Sequence, residues 1–378
     1  MTESIQVKPF REYDELTSQL TARGMIIKDP LRAQRKLTQV GYYRLSGYWH
    51  TSREFSYVGG KIVHKNSFQR GTTFENIFEF YLFDKRLRIE FTDALERIEI
   101  YLRTIIAHEI GRLDPLAYLD KKQFTKKAFK PDSRIKYVDW ISRHDRLMQE
   151  SKEESIVDHK TKGKPVPIWV AVEAWDFGAL SKFYSILKGK NQDLICDRLG
   201  LDNRNVLDNW LINLNVIRNR CAHHSRLCNR PNPRTLLIPR KGYFNTLDLG
   251  QGECNKFYGL IAVIWFLLKQ IGPSSNWISR IVKLVDNKPQ IPGFTYKSMG
   301  FPEAGFPKKH FPETVTPIVK TENLSTVQLL RVSFQNLEGI ISQIEQEKIE
   351  TKEQDVLEGL IDELVNAADK IDGICSKT

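Results

Sequence analysis

Apolar positions in this chain recur mostly every three or four residues, the period of a helix with one buried face. The clearest run lies between residues 74 and 112, where Ile77, Tyr81, Leu87, Phe91, Leu95, Ile98, Leu102, Ile105 and Ile106 keep that spacing. Thr72-Thr-Phe-Glu75 sets a hydroxyl three residues ahead of a carboxylate, a capping box that opens this long helix. Residues 9–35 predict a short helical segment broken at Gly24, and further helices are predicted at about 138–152, 168–188, 190–200, 203–222 and 252–271. The segment 53–70 reads differently. Phe55-Ser-Tyr-Val and Lys61-Ile-Val-His flank Gly59-Gly60, which predicts a β-hairpin.

Residues 150–167 are polar, close on Lys-Pro-Val-Pro, and read as a loop. Prolines at 289, 292, 302, 307, 312 and 317 exclude long regular structure from 287 to 317. Beyond Glu322, two helical patterns at about 325–348 and 351–375 predict a hairpin, with Thr351-Lys-Glu-Gln354 capping its second arm. No internal repeat or low-complexity tract is present. The expectation is an all-α fold with a small N-terminal hairpin segment and a C-terminal helical hairpin. Its divisions are an aromatic and hairpin segment at 1–70, a helical core at 71–286, a Pro-rich linker at 287–320 and an acidic hairpin at 321–378.

With 378 residues, 41% of them hydrophobic and 27% charged, the chain can bury a core and is not of disordered composition. Its longest apolar run, Leu260–Leu268, is far short of the roughly 20 residues a spanning helix needs. The opening residues lack a basic stretch followed by an apolar one, so no signal peptide is expected. Five cysteines at irregular spacing argue for a reducing cytoplasm and against a disulfide framework. The net charge of +11 is unevenly spread: residues 321–378 carry −7, which leaves +18 on residues 1–320. A body this basic is suited to a polyanion, and nucleic acid fits better than a membrane surface.

The densest polar cluster is Ile217-Arg-Asn-Arg-Cys-Ala-His-His-Ser-Arg226, directly after an apolar helix. On a helix Asn219 and His223 lie one turn apart, as do Arg220 and His224. Arg218 and His223, five residues apart, lie about 140° round the helix. Arg218 must therefore reach across, or the helix must end between them. A histidine exchanges protons near neutral pH, and an arginine holds a phosphoryl oxygen bidentately as negative charge builds. A basic helix end answering the C-terminal dipole accounts for the cluster equally well. Zinc is disfavoured, because Cys221, His223, His224 and Cys228 fit no paired Cys-x-x-Cys order and the interleaved arginines repel a dication. No cofactor is expected.

Arg218-Asn-Arg-Cys-Ala-His223 resembles the Arg-x4-His motif of HEPN ribonucleases. The longer Arg-Asn-x-Cys-Ala-His-His-x-Arg is similar to the AbiD/AbiF-type abortive-infection family of bacterial phage defence. Further blocks occur in that family's order: Gly41-Tyr-Tyr-Arg-Leu-Ser-Gly-Tyr-Trp49, Gly71-Thr-Thr-Phe74, Phe83-Asp-Lys-Arg-Leu-Arg88, Ala94-Leu-Glu-Arg-Ile-Glu99 with Leu102-Arg-Thr104, Pro167-Ile-Trp-Val-Ala-Val-Glu173 with Phe177-Gly178, and Met299-Gly-Phe-Pro302. The resemblance spans roughly residues 8–318. It implies a HEPN-type helical bundle and a metal-independent endoribonuclease whose substrate 2′-hydroxyl attacks the adjacent phosphate. It also implies a toxin of antiviral defence that works as a cytoplasmic homodimer with a composite site and associates with a structured small non-coding RNA. By the same resemblance Arg218, Asn219 and His223 are catalytic, with His224 and Arg226 supporting them.

Several residues carry two readings. Tyr43 and Arg44 in the aromatic block are read as RNA contacts, while Tyr48 and Trp49 are read as a plug on the core. Arg103 either pairs with Glu99 one turn away, the better reading, or faces an RNA cleft. Glu173 is expected to anchor a buried hydrogen bond. Lys121, Lys122, Lys126, Lys127 and Lys130 form either a solvated face or a phosphate contact, and Arg220 and Arg230 extend the positive charge. The tail hairpin either dimerises, shields the basic cleft or completes the fold. The rival to a nuclease is a scaffold that holds a structured RNA without cleaving it. A purely protein-binding helical protein is disfavoured by the charge.

Overall fold

The computed structural model describes residues 7–312 apart from Asp248, together with Val315. The expected C-terminal hairpin lies outside the described residues. Among those described, the chain forms fourteen α-helices and one two-stranded sheet, so the fold is mainly α with a small β-hairpin. The N-terminal part comprises α1 (Tyr13–Ala22), α2 (Pro30–Val40), α3 (Tyr42–Trp49), β1 (Arg53–Val58) and β2 (Lys61–Phe68). Asp29 caps α2, accepting from Arg32 N at 2.9 Å, with Pro30 at the first helical position. The two strands pair antiparallel through Gly59 and Gly60, at φ 56° and 75°, a turn that needs both central residues at positive φ.

Helix α4 (Phe74–Gly111) runs 38 residues, about 57 Å at the usual rise. It is capped by Thr73, whose Oγ1 accepts from Asn76 N at 3.1 Å, and not by Thr72. Thr72 is buried and donates to Gln69 O, while Glu75 accepts from Lys28 N, so the capping box expected at 72–75 does not form. A buried stripe from Ile77 through Phe80, Leu87, Phe91, Leu95, Ile98 and Leu102 to Ile106 makes α4 the common neighbour of most later helices.

Then follow α5 (Tyr137–Glu150), α6 (Glu154–Thr161), α7 (Ile168–Ala171), α8 (Phe177–Ile186), α9 (Gly189–Arg198) and α10 (Arg204–Ala222). Last come α11 (Gln251–Cys254), α12 (Phe257–Ile271), α13 (Trp277–Asp286) and α14 (Tyr296–Met299). Helix α6 lies inside the segment expected to be a loop, docked by its buried Ile156. The helix expected at 168–188 is broken at Trp175-Asp176, because Asp176 takes the cap of α8 by accepting from Ala179 N at 2.8 Å. The helix expected at 252–271 is likewise split at Asn255-Lys256. Helix α13, not expected from sequence, buries Trp277, Ile278, Ile281 and Val285 and is pinned by Trp277 Nε1 donating to Glu90 O at 2.9 Å. Helix α12 is buried at every position from Phe257 to Lys269, a core rod packed against α4. The aromatic residues Tyr48 and Trp49 of α3 are buried in the same core.

Candidate functional site

Helix α10 presents Leu207, Trp210, Leu211, Leu214 and Ile217 to the core, and this buried face fixes where its polar end emerges. The helix stops between the two ends of the motif: Ala222 is its last residue and His223 its cap. Ser225 N donates to Arg220 O at 2.8 Å and His224 N to Cys221 O at 3.1 Å, the paired bonds of a Schellman ending. The residue at the left-handed position of such an ending is usually glycine, but here it is His224, at φ 56°. Backbone strain of about 1–2 kcal/mol is thus held directly after the motif.

Arg218 points to a cleft of about 360 Å³ between α4 and α10, lined by Thr92, Glu96, Glu99, Ile100, Arg103, Arg218, Cys221 and Ala222. Glu99 is buried and holds two cations. Its Oε1 accepts from Arg103 Nη2 at 2.8 Å, and its Oε2 accepts from Arg218 Nε at 3.3 Å. Arg103 is fixed further by donating from Nε and Nη2 to Trp175 O at 3.2 and 2.9 Å. Arg218 is anchored through Nε alone, and among the described residues neither of its Nη nitrogens donates a hydrogen bond.

The loop after His223 is fastened by α3 and α4. Arg44 Nη1 donates to His224 O at 2.9 Å, and Arg226 Nη1 donates to Gly47 O. Asp84, wholly buried in α4, accepts from Leu227 N at 3.0 Å, Cys228 N at 2.6 Å and the Tyr48 hydroxyl at 2.9 Å. It also pairs with Arg88, which in turn donates to the Tyr48 oxygen at 3.2 Å. Burial pushes the Asp84 carboxyl up, opposed by Arg88 and by the Cys228, Tyr48 and Leu227 donors. Asn209 and Asn213 tie the next stretch of chain to α10, accepting from Leu237 N and Arg234 N at 3.0 Å each.

Asn219, His223 and His224 are exposed at the helix end, one to two residues from the cleft wall in the case of the histidines. Arg226 is half-buried, and burial lowers its pKa. Arg220 donates to Pro231 O at 3.1 Å and is pushed down to about 10, by burial first and by Arg230 next. Arg230 is exposed, as is Tyr43, which meets Tyr42 edge-on. Arg103 adopts its expected pair with Glu99 and also lines the cleft. Lys121, Lys122, Lys126, Lys127 and Lys130 all lie exposed on two short turns after α4. Glu173 is a correction: it stands exposed on the turn Val172–Ala174 and anchors nothing buried.

Cys221 and Cys228 are buried and free, and burial pushes Cys221 up to about 12. Among the described residues no three His, Cys, Asp or Glu side chains gather where a metal ion could be held. No helix among them is long and apolar enough to cross a membrane. Sequence reasoning missed the double grip of Glu99 and the whole Asp84 cluster. Their signal was present, because each is a carboxylate on the apolar stripe of α4, where an ionised group needs partners.

The fold and site define a helical protein in which two arginines share one buried carboxylate beside an Arg-x4-His helix end. The Abi-like protein family matches residues 35–229, more than half of the chain and all of the cleft and the motif, and the chain belongs to that family. That membership points to abortive infection, a form of phage defence. No curated protein and no solved structure matches the chain.

Proposed function

We propose that the protein is a HEPN-type endoribonuclease of phage defence that cleaves RNA without a metal. The observation that carries this reading is Arg218, held at Nε by a buried carboxylate with both Nη nitrogens unengaged, five residues before an exposed imidazole. A guanidinium so anchored offers a fork to two oxygens of a phosphate and stabilises the charge that builds on them. His223 takes the proton from the 2′-hydroxyl, the 2′-oxygen bonds to phosphorus, and the bond to the 5′-oxygen breaks. The leaving oxygen gains a proton, giving a 2′,3′-cyclic phosphate and a 5′-hydroxyl. One motif supplies one imidazole, so a homodimer, with its second copy, supplies the acid. Asn219 and His224 stand where they can orient either partner.

The test is cleavage of RNA by purified protein. His223→Ala and Arg218→Ala should each lower the rate by about 10²–10⁴ with an unchanged circular dichroism spectrum, and a chelator should leave the rate unchanged. Equal rates in all three proteins would overturn the assignment. A second reading, a scaffold that holds a structured non-coding RNA without cutting it, is favoured by the five exposed lysines at 121–130 and by the pairing of Arg218 with Glu99. Sequencing the RNA co-purified with wild type and with His223→Ala separates the two, since only a nuclease yields ends that differ between them.

A further inference from the structure

The hairpin β1–β2 has no part in the site above, and of its strand residues only Phe68 is buried. Phe55 pairs with His64 and Tyr57 with Ile62, so these four side chains share one face. That face is open: Tyr57 is 70% exposed, Ile62 55% and Phe55 45%. Its rings form a series. Tyr57 and Phe55 lie 5.8 Å apart, Phe55 and His64 6.2 Å, and His64 and His50 4.3 Å. The inner end of the series stands beside the cations Arg53 and Arg226: burial first, then His64, Arg53 and Arg226, push the His50 imidazole down. Arg226 belongs to the fastened loop that follows His223. The rings therefore lead from the tip of the arm to the loop of the motif.

We propose that this hairpin is a stacking arm that binds an unpaired stretch of RNA and leads it toward Arg218 and His223. The inference rests on the RNA-binding reading given above. Exposed rings at the spacing of a side-chain ladder offer faces on which unpaired bases stack, whatever their sequence. Lys61 and Lys65 lie on the opposite face of an arm only about 5 Å wide, within reach of phosphates along its edge. Charge selects RNA over a second copy of the arm. Between residues 53 and 70 the bases are Arg53, Lys61, Lys65 and Arg70, against one acid, Glu54, whose carboxylate already accepts from Ser67 Oγ at 2.6 Å. Two such arms repel each other, whereas a polyanion is drawn to either.

The experiment measures binding of a labelled unpaired oligoadenylate and of a blunt RNA duplex of equal length to the full chain, by fluorescence anisotropy at fixed salt. Tyr57→Ala and Phe55→Ala should each weaken oligoadenylate binding by about fivefold to about a hundredfold and leave duplex binding unchanged. Tyr57→Trp should keep the affinity, and Tyr57→Leu, which keeps apolar area without a ring face, should lose it. Unchanged oligoadenylate affinity in both alanine variants would overturn the arm while leaving RNA binding intact. Wild-type protein that binds neither RNA would overturn the RNA-binding reading itself. A wild-type dimer that Phe55→Ala dissociates, with RNA affinity unaltered, would assign the face to a second copy instead.

Discussion

Replacing Asp84 with alanine tests whether the loop behind the motif is held as described. The carboxylate is wholly buried and serves four groups: Arg88, the Tyr48 hydroxyl, and the N–H groups of Leu227 and Cys228. Removing it strands a buried guanidinium, a loss of about 3–5 kcal/mol when one partner of a buried pair is deleted. It also leaves two buried N–H groups without acceptors, at about 1–3 kcal/mol each. These terms overlap, and a total of at least ~4 kcal/mol is expected. Tyr48→Phe removes only the hydroxyl and should cost about 1.5–3 kcal/mol, the range for a bond to a charged group. The double variant Asp84→Leu with Arg88→Met removes both charges and should regain the ion-pair part only, remaining about 2 kcal/mol or more below wild type. Urea unfolding followed at 222 nm reads all three as shifts of midpoint at constant slope. A loss under ~1 kcal/mol for Asp84→Ala, or a double variant as stable as wild type, would refute the view that Asp84 fastens residues 227–228.

Three further outcomes are expected. His224→Gly should raise stability by about 1 kcal/mol, because glycine occupies the left-handed position without strain; a loss of stability in thermal unfolding would count against the strained ending. His144 accepts from Trp175 Nε1 at 2.9 Å, and burial pushes it down to about 4, so the unfolded imidazole binds a proton that the folded one refuses. Stability should therefore fall by up to ~3 kcal/mol as pH drops from about 6.5 to 4, and a His144→Gln chain showing the same pH dependence would remove this cause. Reversing Lys121, Lys122, Lys126 and Lys127 to glutamate should flatten the salt dependence of RNA affinity by roughly 0.9 log units for each phosphate no longer neutralised. An unchanged slope would place the phosphates elsewhere.

The long helix and the hairpin were legible because their periods are long and unbroken, and because Gly59-Gly60 admits few alternatives to a tight turn. Boundaries were less so. Thr72 and Thr73 offer the same hydroxyl, and only the burial of Thr72 against the preceding turn decides which one caps α4. Asp176 ends one helix and begins the next through a side-chain bond that hydrophobic spacing does not encode. Helix α13 hid behind Gly272-Pro273, although Trp277, Ile281 and Val285 keep a helical step. At the site, the sequence pointed to Arg218 and His223 and left open whether the helix ends between them. The Schellman ending answers that question. Arg44 was read as an RNA contact, and that it grips His224 O depends on a contact across 180 residues, which no local pattern carries.

That separation has a consequence for synthesis of the chain. The fasteners at 44–48 and 84–88 leave the ribosome well over a hundred residues before the loop they hold. A nascent chain thus completes its motif only when the parts that shape it are already available to fold. A product begun at an internal start beyond Tyr48 would carry Arg218 and His223 ahead of a loop that lacks its partners Arg44 and the Gly47 carbonyl. The fastened loop therefore forms only where residues 44–88 are present together with residues 218–228. That offers a practical handle: two fragments, divided in the polar stretch around residues 162–165, would rebuild the fastened loop only when both are made in the same cell.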